Sequence, residues 1–121
     1  MGRLDDGFER ALELQPGEAL RWHAPAMHWA GRTWAGGRIY LSDRRFFFCP
    51  AVLARGRHQT VRVPLGSITG VEVVGRDTQV MSGGLRRRVI VKTAAGDTHA
   101  FSLPRFRKRS RELVALLGER S

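Results

Sequence analysis

The chain has 121 residues, of which 42% are hydrophobic, and it carries a formal net charge of +10. This length suits one domain that folds around its own core, and the single cysteine, Cys49, has no disulfide partner within the chain. No apolar run approaches the roughly 20 residues of a membrane-spanning helix, and the N-terminus lacks the apolar core of a secretory signal. We therefore expect one domain in a reducing, cytoplasmic compartment.

The first residues predict a short helix. Their apolar side chains recur at the spacing of one helical face, and Pro16 and Gly17 stop the pattern; the apolar positions are Leu4, Phe8, Ala11 and Leu12. We divide the chain into an N-terminal helix or extension (residues 1–13) and a main domain (residues 14–121). Residues 1–20 hold five acidic residues and two arginines, so the remainder carries 19 basic and 6 acidic residues. Whether the acidic helix covers a basic surface stays open.

A β-hairpin is the strongest local prediction. Residues 39–41 (IYL) and 46–48 (FFF) are rich in residues that favour strands, and they flank Ser42, Asp43 and Arg44. Ser and Asp stabilise short reversals by bonding to nearby backbone groups. Pro50 should end the second strand, because proline cannot donate to a sheet.

The rest of the chain predicts further short strands and a final helix. We expect a strand near residues 20–29, a turn region over residues 31–37, and later strands over residues 60–65, 68–74, 89–93 and 98–103, with a polar loop at 75–84. A helix should run from about Pro104 to Leu117, since proline suits a first turn and Gly118 suits a C-terminal stop. About seven closely spaced strands predict an all-β sandwich or barrel.

Three ordered motifs resemble bacterial PH-like or GRAM-type domains. Residues 14–18 (LQPGE) resemble the opening L-x-P-G-E, residues 37–48 (GRIYLSDRRFFF) resemble G-x-L-Y-L-T-D-x-R-L-I-F, and residues 63–68 (VPLGSI) resemble I-P-L-x-D-I. The resemblance covers about residues 14–117. It implies a mainly β fold, a strongly bent PH-like β-barrel of seven strands capped by a C-terminal α-helix.

The resemblance also implies a non-enzymatic scaffold that binds lipid headgroups or protein segments. Phosphoinositide-binding members of the wider superfamily use basic residues around the first strand–loop–strand, where this chain has Arg32 and Arg38. The second half of that basic motif is missing, because residue 40 is Tyr. A specific inositol phosphate site is therefore not expected.

Basic residues supply the candidate ligand-binding surface. Nineteen of the 21 basic residues are arginine, whose planar fork suits phosphate and carboxylate. Besides Arg32 and Arg38, the candidates form two runs in the sequence. In the first run, alternation along a strand would place Arg87 on the face opposite to Arg86 and Arg88. The runs are Arg86, Arg87 and Arg88, then Arg105, Arg107, Lys108 and Arg109, with Arg111 close behind. The alternative interpretation is a solvated strand edge and a solvated helix face.

Other side chains predict structure more than chemistry. Trp22, Tyr40 and Cys49 are expected to be buried, whereas Trp34 beside Arg32 is a candidate membrane-interface residue. His23 and His28 are five residues apart and should lie on opposite faces of a strand, so we predict no metal site. We also predict no catalytic residues and no cofactor, since the sequence has no recognisable nucleophile or phosphate-binding motif.

The leading hypothesis is a binding module whose basic surface recognises an anionic lipid membrane or an acidic protein segment. It would be cytoplasmic, or peripheral at the inner face of the membrane. Two alternatives remain. One is a protein–protein adaptor of a larger bacterial assembly that receives a partner at a strand edge or at the loop of residues 75–84. The other is non-specific nucleic-acid binding, which charge alone would favour.

Overall fold

The computed structural model describes residues 14–29, 33–51, 60–75 and 87–119. They form seven strands and one long helix: β1 (Leu20–Trp29), β2 (Trp34–Ser42), β3 (Arg45–Pro50), β4 (Val61–Pro64), β5 (Ile68–Val74), β6 (Arg88–Thr93), β7 (Thr98–Ser102) and α1 (Phe106–Glu119). A single 3-10 turn, Leu65–Ser67, joins β4 to β5. The predicted N-terminal helix lies outside the described residues.

The seven strands form one antiparallel sheet in the order β4-β3-β2-β1-β7-β6-β5. The predicted hairpin is confirmed, since β2 pairs with β3 from Leu41 opposite Phe46 to Gly37 opposite Pro50. β3 ends at Pro50, as the sequence predicts. Strand β1 joins the two halves of the sheet by pairing with β2 along its length and with β7 near its end. Within the described chain, β4 and β5 are the two ends of the sheet.

The core lies between one face of the sheet and α1. It combines aromatic residues of β3 and β7 with aliphatic residues of β2, β6 and the helix, including Phe46, Phe48, Phe101, Val89 and Leu113. A second buried cluster contains Tyr40, Phe47 and Cys49. Because alternate strand residues point to opposite faces, this cluster lies on the other face of the β2–β3 hairpin. The predicted burial of Tyr40 and Cys49 is thus confirmed.

The first two motifs of the sequence bind to each other. The Glu18 carboxylate accepts hydrogen bonds from the Ser42 hydroxyl, from the Arg45 guanidinium and from the Gln15 backbone amide. Arg45 in turn lies over the ring of Phe47, 4.6 Å from its centroid. The hydrogen bond from Arg45 is the main reason that the pKa of Glu18 falls from 4.5 to about 2, against the opposing effect of burial. This ion pair anchors the segment before β1 to the β2–β3 turn.

The predicted turn region over residues 31–37 is wrong in its second half, because β2 begins at Trp34. Gly36 and Gly37 therefore lie within a strand. A Cβ at Gly37 would lie 2.2 Å from the Cys49 carbonyl oxygen, whereas one at Gly36 would meet no atom within 4 Å. Gly37 thus allows β2 and β3 to approach each other closely, which is a known role of glycine in strands. Two consecutive glycines in a sequence do not by themselves show whether they serve this role or form a turn.

Helix α1 begins two residues later than the sequence predicts, at Phe106. Arg105 just before it has a left-handed backbone with φ of 53°. The helix buries Leu113, Leu117 and Ser110, and the Trp22 indole donates a 3.0 Å hydrogen bond to the Glu112 carboxylate. No helix among the described residues is long and apolar enough to cross a membrane.

Candidate functional site

A groove runs between the end of β5 and the exposed side of α1, and we call it the β5–α1 groove. Its volume is about 690 Å³. Its floor and walls are mostly apolar, and the apolar lining comes from Val73, Val74, Gly75, Phe106, Val114 and Ala115. Val73 is 52% exposed, although large aliphatic side chains in strands are usually buried. Among the described residues, the groove therefore presents exposed apolar surface.

Three arginines line the same groove: Arg87, Arg107 and Arg111. All three side chains are exposed. Arg107 and Arg111 are four residues apart on α1 and so lie one above the other on one helical face. Arg87 precedes β6 and reaches the groove from the sheet side. An open, mostly apolar site lined by three arginines can hold an apolar side chain, and guanidinium groups can pair with nearby carboxylates.

The four basic residues predicted as one cluster on the helix do not all lie on the same surface. Arg107 lines the groove, whereas Arg105, Lys108 and Arg109 do not. Arg105 and Lys108 are exposed, and Arg109 is half-buried. Within the described chain, the Arg109 Nη1 atom is buried without a hydrogen-bond partner. Residues that are adjacent in the sequence thus contribute to different surfaces, because successive helical residues are rotated by about 100°.

The predicted arginine run before β6 is divided as well. Arg86 lies outside the described residues. Arg87 is exposed, but Arg88 is only 4% exposed. The Arg88 guanidinium donates a 3.2 Å hydrogen bond to the Gly75 carbonyl oxygen. Arg88 is therefore not part of an exposed basic surface, and its guanidinium instead contacts the end of β5.

Two candidates of the first hairpin, Arg38 and Trp34, do not line this groove. Arg32 is outside the described residues. Arg38 is half-buried, and its guanidinium Nη2 lies 3.0 Å from Nδ1 of His23. Trp34 was predicted to lie on a loop tip, but it is the first residue of β2. It is half-buried there, and its ring centroid lies 5.3 Å from that of Trp29. Its role at a membrane interface stays a prediction.

Two histidines from different strands meet on the core side of the sheet. The His28 Nε2 and His99 Nδ1 atoms are 3.4 Å apart, and the His28 ring stacks on Phe101 with centroids 4.9 Å apart. Burial lowers the pKa of His99, and the nearby Asp97 carboxylate opposes this effect. His23 is exposed on the other face, as predicted. The described part of the chain contains no cluster of three or more ligands suited to a metal ion.

Sequence reasoning missed the groove as a site. Arg111 was recognised as part of the basic helix, but nothing local distinguished it from Lys108. The available signal was the four-residue spacing of Arg107 and Arg111. No signal indicated that β5 lies beside this face of the helix, since that contact joins segments more than 30 residues apart in the sequence.

No family model matches the chain, and a search of curated proteins found no match. Solved structures do match it. The C-terminal domain of an unknown protein from Leishmania infantum has a TM-score of 0.74 at 13% identity, covering 95% of this chain and 98% of that one. The hSac2 domain from the human phosphoinositide phosphatase Sac2 has a TM-score of 0.70 at 12% identity, covering 93% and 76%.

The Vps36 N-terminal PH domain has a TM-score of 0.60 at 14% identity, covering 88% of this chain and 83% of that one. At such low identity these similarities establish the fold alone. The fold class that the three sequence motifs implied is thereby confirmed: this protein is a mainly β domain with the PH-like fold, seven antiparallel strands and a C-terminal helix. The implied barrel is not closed, because β4 and β5 do not pair with each other among the described residues.

Proposed function

We propose that this protein is a binding module that recognises an acidic protein segment in the β5–α1 groove. The observation that carries the proposal is the combination of apolar lining and three arginines at one groove. Apolar side chains would fill the groove and carboxylates would pair with the guanidinium groups of Arg87, Arg107 and Arg111. The PH-like fold supports a binding role, since it recurs as a scaffold on which different sites are built.

A protein segment suits this site better than a membrane surface. Attraction to an anionic membrane is roughly additive, about 1 kcal/mol for each nearby basic residue, so Arg105 and Lys108 should contribute as much as Arg107 and Arg111. Recognition in the groove, in contrast, depends on the arginines that line it, of which Arg107 and Arg111 are the two on the helix. Charge reversals on this helix therefore distinguish the two functions. Membrane binding predicts equal losses at all four positions, whereas groove binding predicts larger losses at Arg107 and Arg111.

The finer family assignment rests on sequence. The three motifs support a bacterial GRAM-type, non-enzymatic domain in the cytoplasm, and membrane attraction through the basic helix would place it at the inner face of the membrane. The motif containing Glu18 and the motif containing Arg45 are joined by the ion pair between these two residues. This contact is a structural reason for the two motifs to occur together.

The experiment compares two double variants with equal changes in charge. Short peptides that bind the full chain are selected from a random displayed library, and their affinities are measured by fluorescence anisotropy. Arg107→Glu with Arg111→Glu should weaken binding roughly 10- to 100-fold, because two pairs of up to about 1 kcal/mol become repulsive contacts. Arg105→Glu with Lys108→Glu is the matched control and should stay within about threefold of the original affinity.

Vesicles and DNA test the alternatives. Co-sedimentation with phosphatidylcholine vesicles, with and without phosphatidylserine, and binding to single-stranded and duplex DNA are measured for the same proteins. Selection of acidic peptides that depend on Arg107 and Arg111 would support the proposal. It would be contradicted by an absence of peptide binders, or by binding that both double variants weaken equally. Equal weakening on anionic vesicles would favour a membrane-surface module.

A further inference from the structure

We propose that the N-terminal segment, residues 1–13, packs as an amphipathic helix against the outer face of the β2–β3 hairpin, which is the face opposite the core. The residues of this face do not line the β5–α1 groove, so the inference goes beyond the proposed function. The segment lies outside the described residues, and its position is inferred from the surface that it would cover. In this arrangement its acidic residues lie beside the sheet and not beside the groove.

The first argument is that the centre of the outer face is apolar and buried. Tyr40 is 1% exposed, and Phe47 and Cys49 are completely buried. These residues form a cluster separate from the core, and α1 packs on the core side. The guanidinium of Arg45 lies over the Phe47 ring, but Cys49 is four residues, about 13 Å, further along β3 than Arg45. Since the second face of an antiparallel sheet is commonly solvated, this burial indicates a further covering element.

The second argument is the width of the buried strip. Tyr40 pairs with His23 of β1 and with Phe47 of β3. Phe47 pairs with Arg62 of β4. Paired residues point to the same face, yet the two inner side chains are buried whereas those of His23 and Arg62 are exposed. The covering element is therefore about two strands wide, roughly 10 Å, which is the diameter of one α-helix with its side chains.

The third argument is the place where the described chain begins. The Gln15 side-chain oxygen accepts a 3.3 Å hydrogen bond from the Arg44 guanidinium, and Glu18 pairs with Arg45. These contacts hold the start of the chain at the β2–β3 turn. Phe47 lies two residues, about 7 Å, from Arg45 along β3. A helix formed by residues 1–13 would be about 20 Å long, which is enough to extend from the turn across the buried cluster.

The fourth argument is the apolar pattern of the segment. Leu4, Phe8, Ala11 and Leu12 share one face of the predicted helix. Leu12, Phe8 and Leu4 follow one another at intervals of about 6 Å in the direction away from the turn. Side chains on one face of a strand repeat at a similar interval of about 7 Å. The apolar face of the segment therefore matches the buried strip in spacing.

The charges fit the same arrangement. Asp5, Glu9 and Glu13 recur every four residues and so form a stripe beside the apolar face. On the sheet, Arg38 and Arg62 lie on the outer face beside the buried cluster. Pairs of exposed charges contribute little stability. We therefore expect the apolar contacts to stabilise the packing and the carboxylates to set the orientation of the helix.

The first measurement uses Cys49, which is the only cysteine of the chain and lies within the covered cluster. Its reaction with Ellman's reagent is followed in the folded full chain. Phe8→Ser with Leu12→Ser should speed this reaction roughly tenfold or more, because the loss of apolar contacts favours local opening. Asp6→Ser with Arg10→Ser is the matched control, since it keeps the net charge and changes the polar side of the helix. Its rate should stay within about threefold of the original.

The second measurement is disulfide formation with Cys49. Phe8→Cys, Leu12→Cys and the control Arg10→Cys are made separately in the full chain and exposed to oxidised glutathione. A disulfide within the chain requires Cα atoms closer than about 7 Å, and mass spectrometry of the digested protein detects the linked peptides. We expect a disulfide from residue 8 or residue 12, formed at least about tenfold faster than any from residue 10.

The two measurements together decide the proposal. A preferred disulfide from the apolar face, with faster reaction of Cys49 in the Phe8→Ser and Leu12→Ser variant, would establish the packing. Circular dichroism shows whether that variant is folded, and if it is not, the disulfides alone decide. A lack of preference among the three cysteine variants would overturn the proposal. Equal reactivity of Cys49 in the two folded serine variants would also overturn it.

Discussion

Replacing Glu18 with glutamine tests the ion pair that holds the segment before β1 against the β2–β3 turn. The substitution keeps the size of the side chain and one oxygen acceptor, but it removes the negative charge that faces Arg45. The Glu18 side chain is fully buried and that of Arg45 is 17% exposed. Since a buried charge that loses its partner is strongly destabilising, we expect a lower free energy of unfolding at neutral pH.

The size of the effect follows from the pKa of Glu18, which falls from 4.5 to about 2 on folding. At 1.36 kcal/mol for each pH unit, this fall corresponds to about 3 kcal/mol of stability. Partial solvent screening near Arg45 reduces it to about 1–2 kcal/mol. Because the pKa is lower in the folded protein, this stability is complete above about pH 4.5 and is lost as the pH falls toward 2.

The assay is urea unfolding at a series of pH values, with Glu72→Gln as the control. Glu72 pairs with Lys92 at 3.3 Å, but both side chains are more than half exposed, so this variant should change stability by less than about 0.5 kcal/mol. Glu18→Gln should cost about 1–2 kcal/mol at pH 7, and stability should then fall less steeply as the pH is lowered. Equal costs for the two variants, or parallel acid profiles for Glu18→Gln and the unmodified protein, would refute this reasoning.

Two further predictions concern the strands around the core. Gly37→Ala should lower the free energy of unfolding by more than about 2 kcal/mol, because its Cβ would lie 2.2 Å from a backbone oxygen of β3. Gly36→Ala, with no atom within 4 Å, should change it by less than about 1 kcal/mol, and equal costs in urea unfolding would contradict the clash. The pKa of His99 is lowered by burial, so folding favours its neutral form. Stability should therefore be complete above about pH 6.5 and decline as the pH falls below this value. His99→Gln should reduce this decline between about pH 7 and 5; identical slopes with and without the histidine would show that it contributes nothing.

Much of the fold was accessible from local patterns. The strand propensities of residues 39–41 and 46–48, with Ser42 and Asp43 between them, predicted the hairpin that the structure contains. The spacing of apolar residues after Pro104 predicted α1, although its start was misplaced by two residues. Local reasoning failed at residues 34–37, because consecutive glycines indicate a turn unless a neighbouring strand requires their small size.

The candidate site was accessible only in part. The sequence alone determined the number and order of most elements, the buried thiol of Cys49 and the abundance of arginine, since these depend on composition and on short-range periodicity. It could not separate Arg88, which is buried against the end of β5, from its exposed neighbour Arg87. Nor could it place Arg107 and Arg111 beside Val73. Those distinctions were decided by the tertiary structure, because the packing of α1 beside β5, at one end of the described sheet, brings together residues that no local pattern relates.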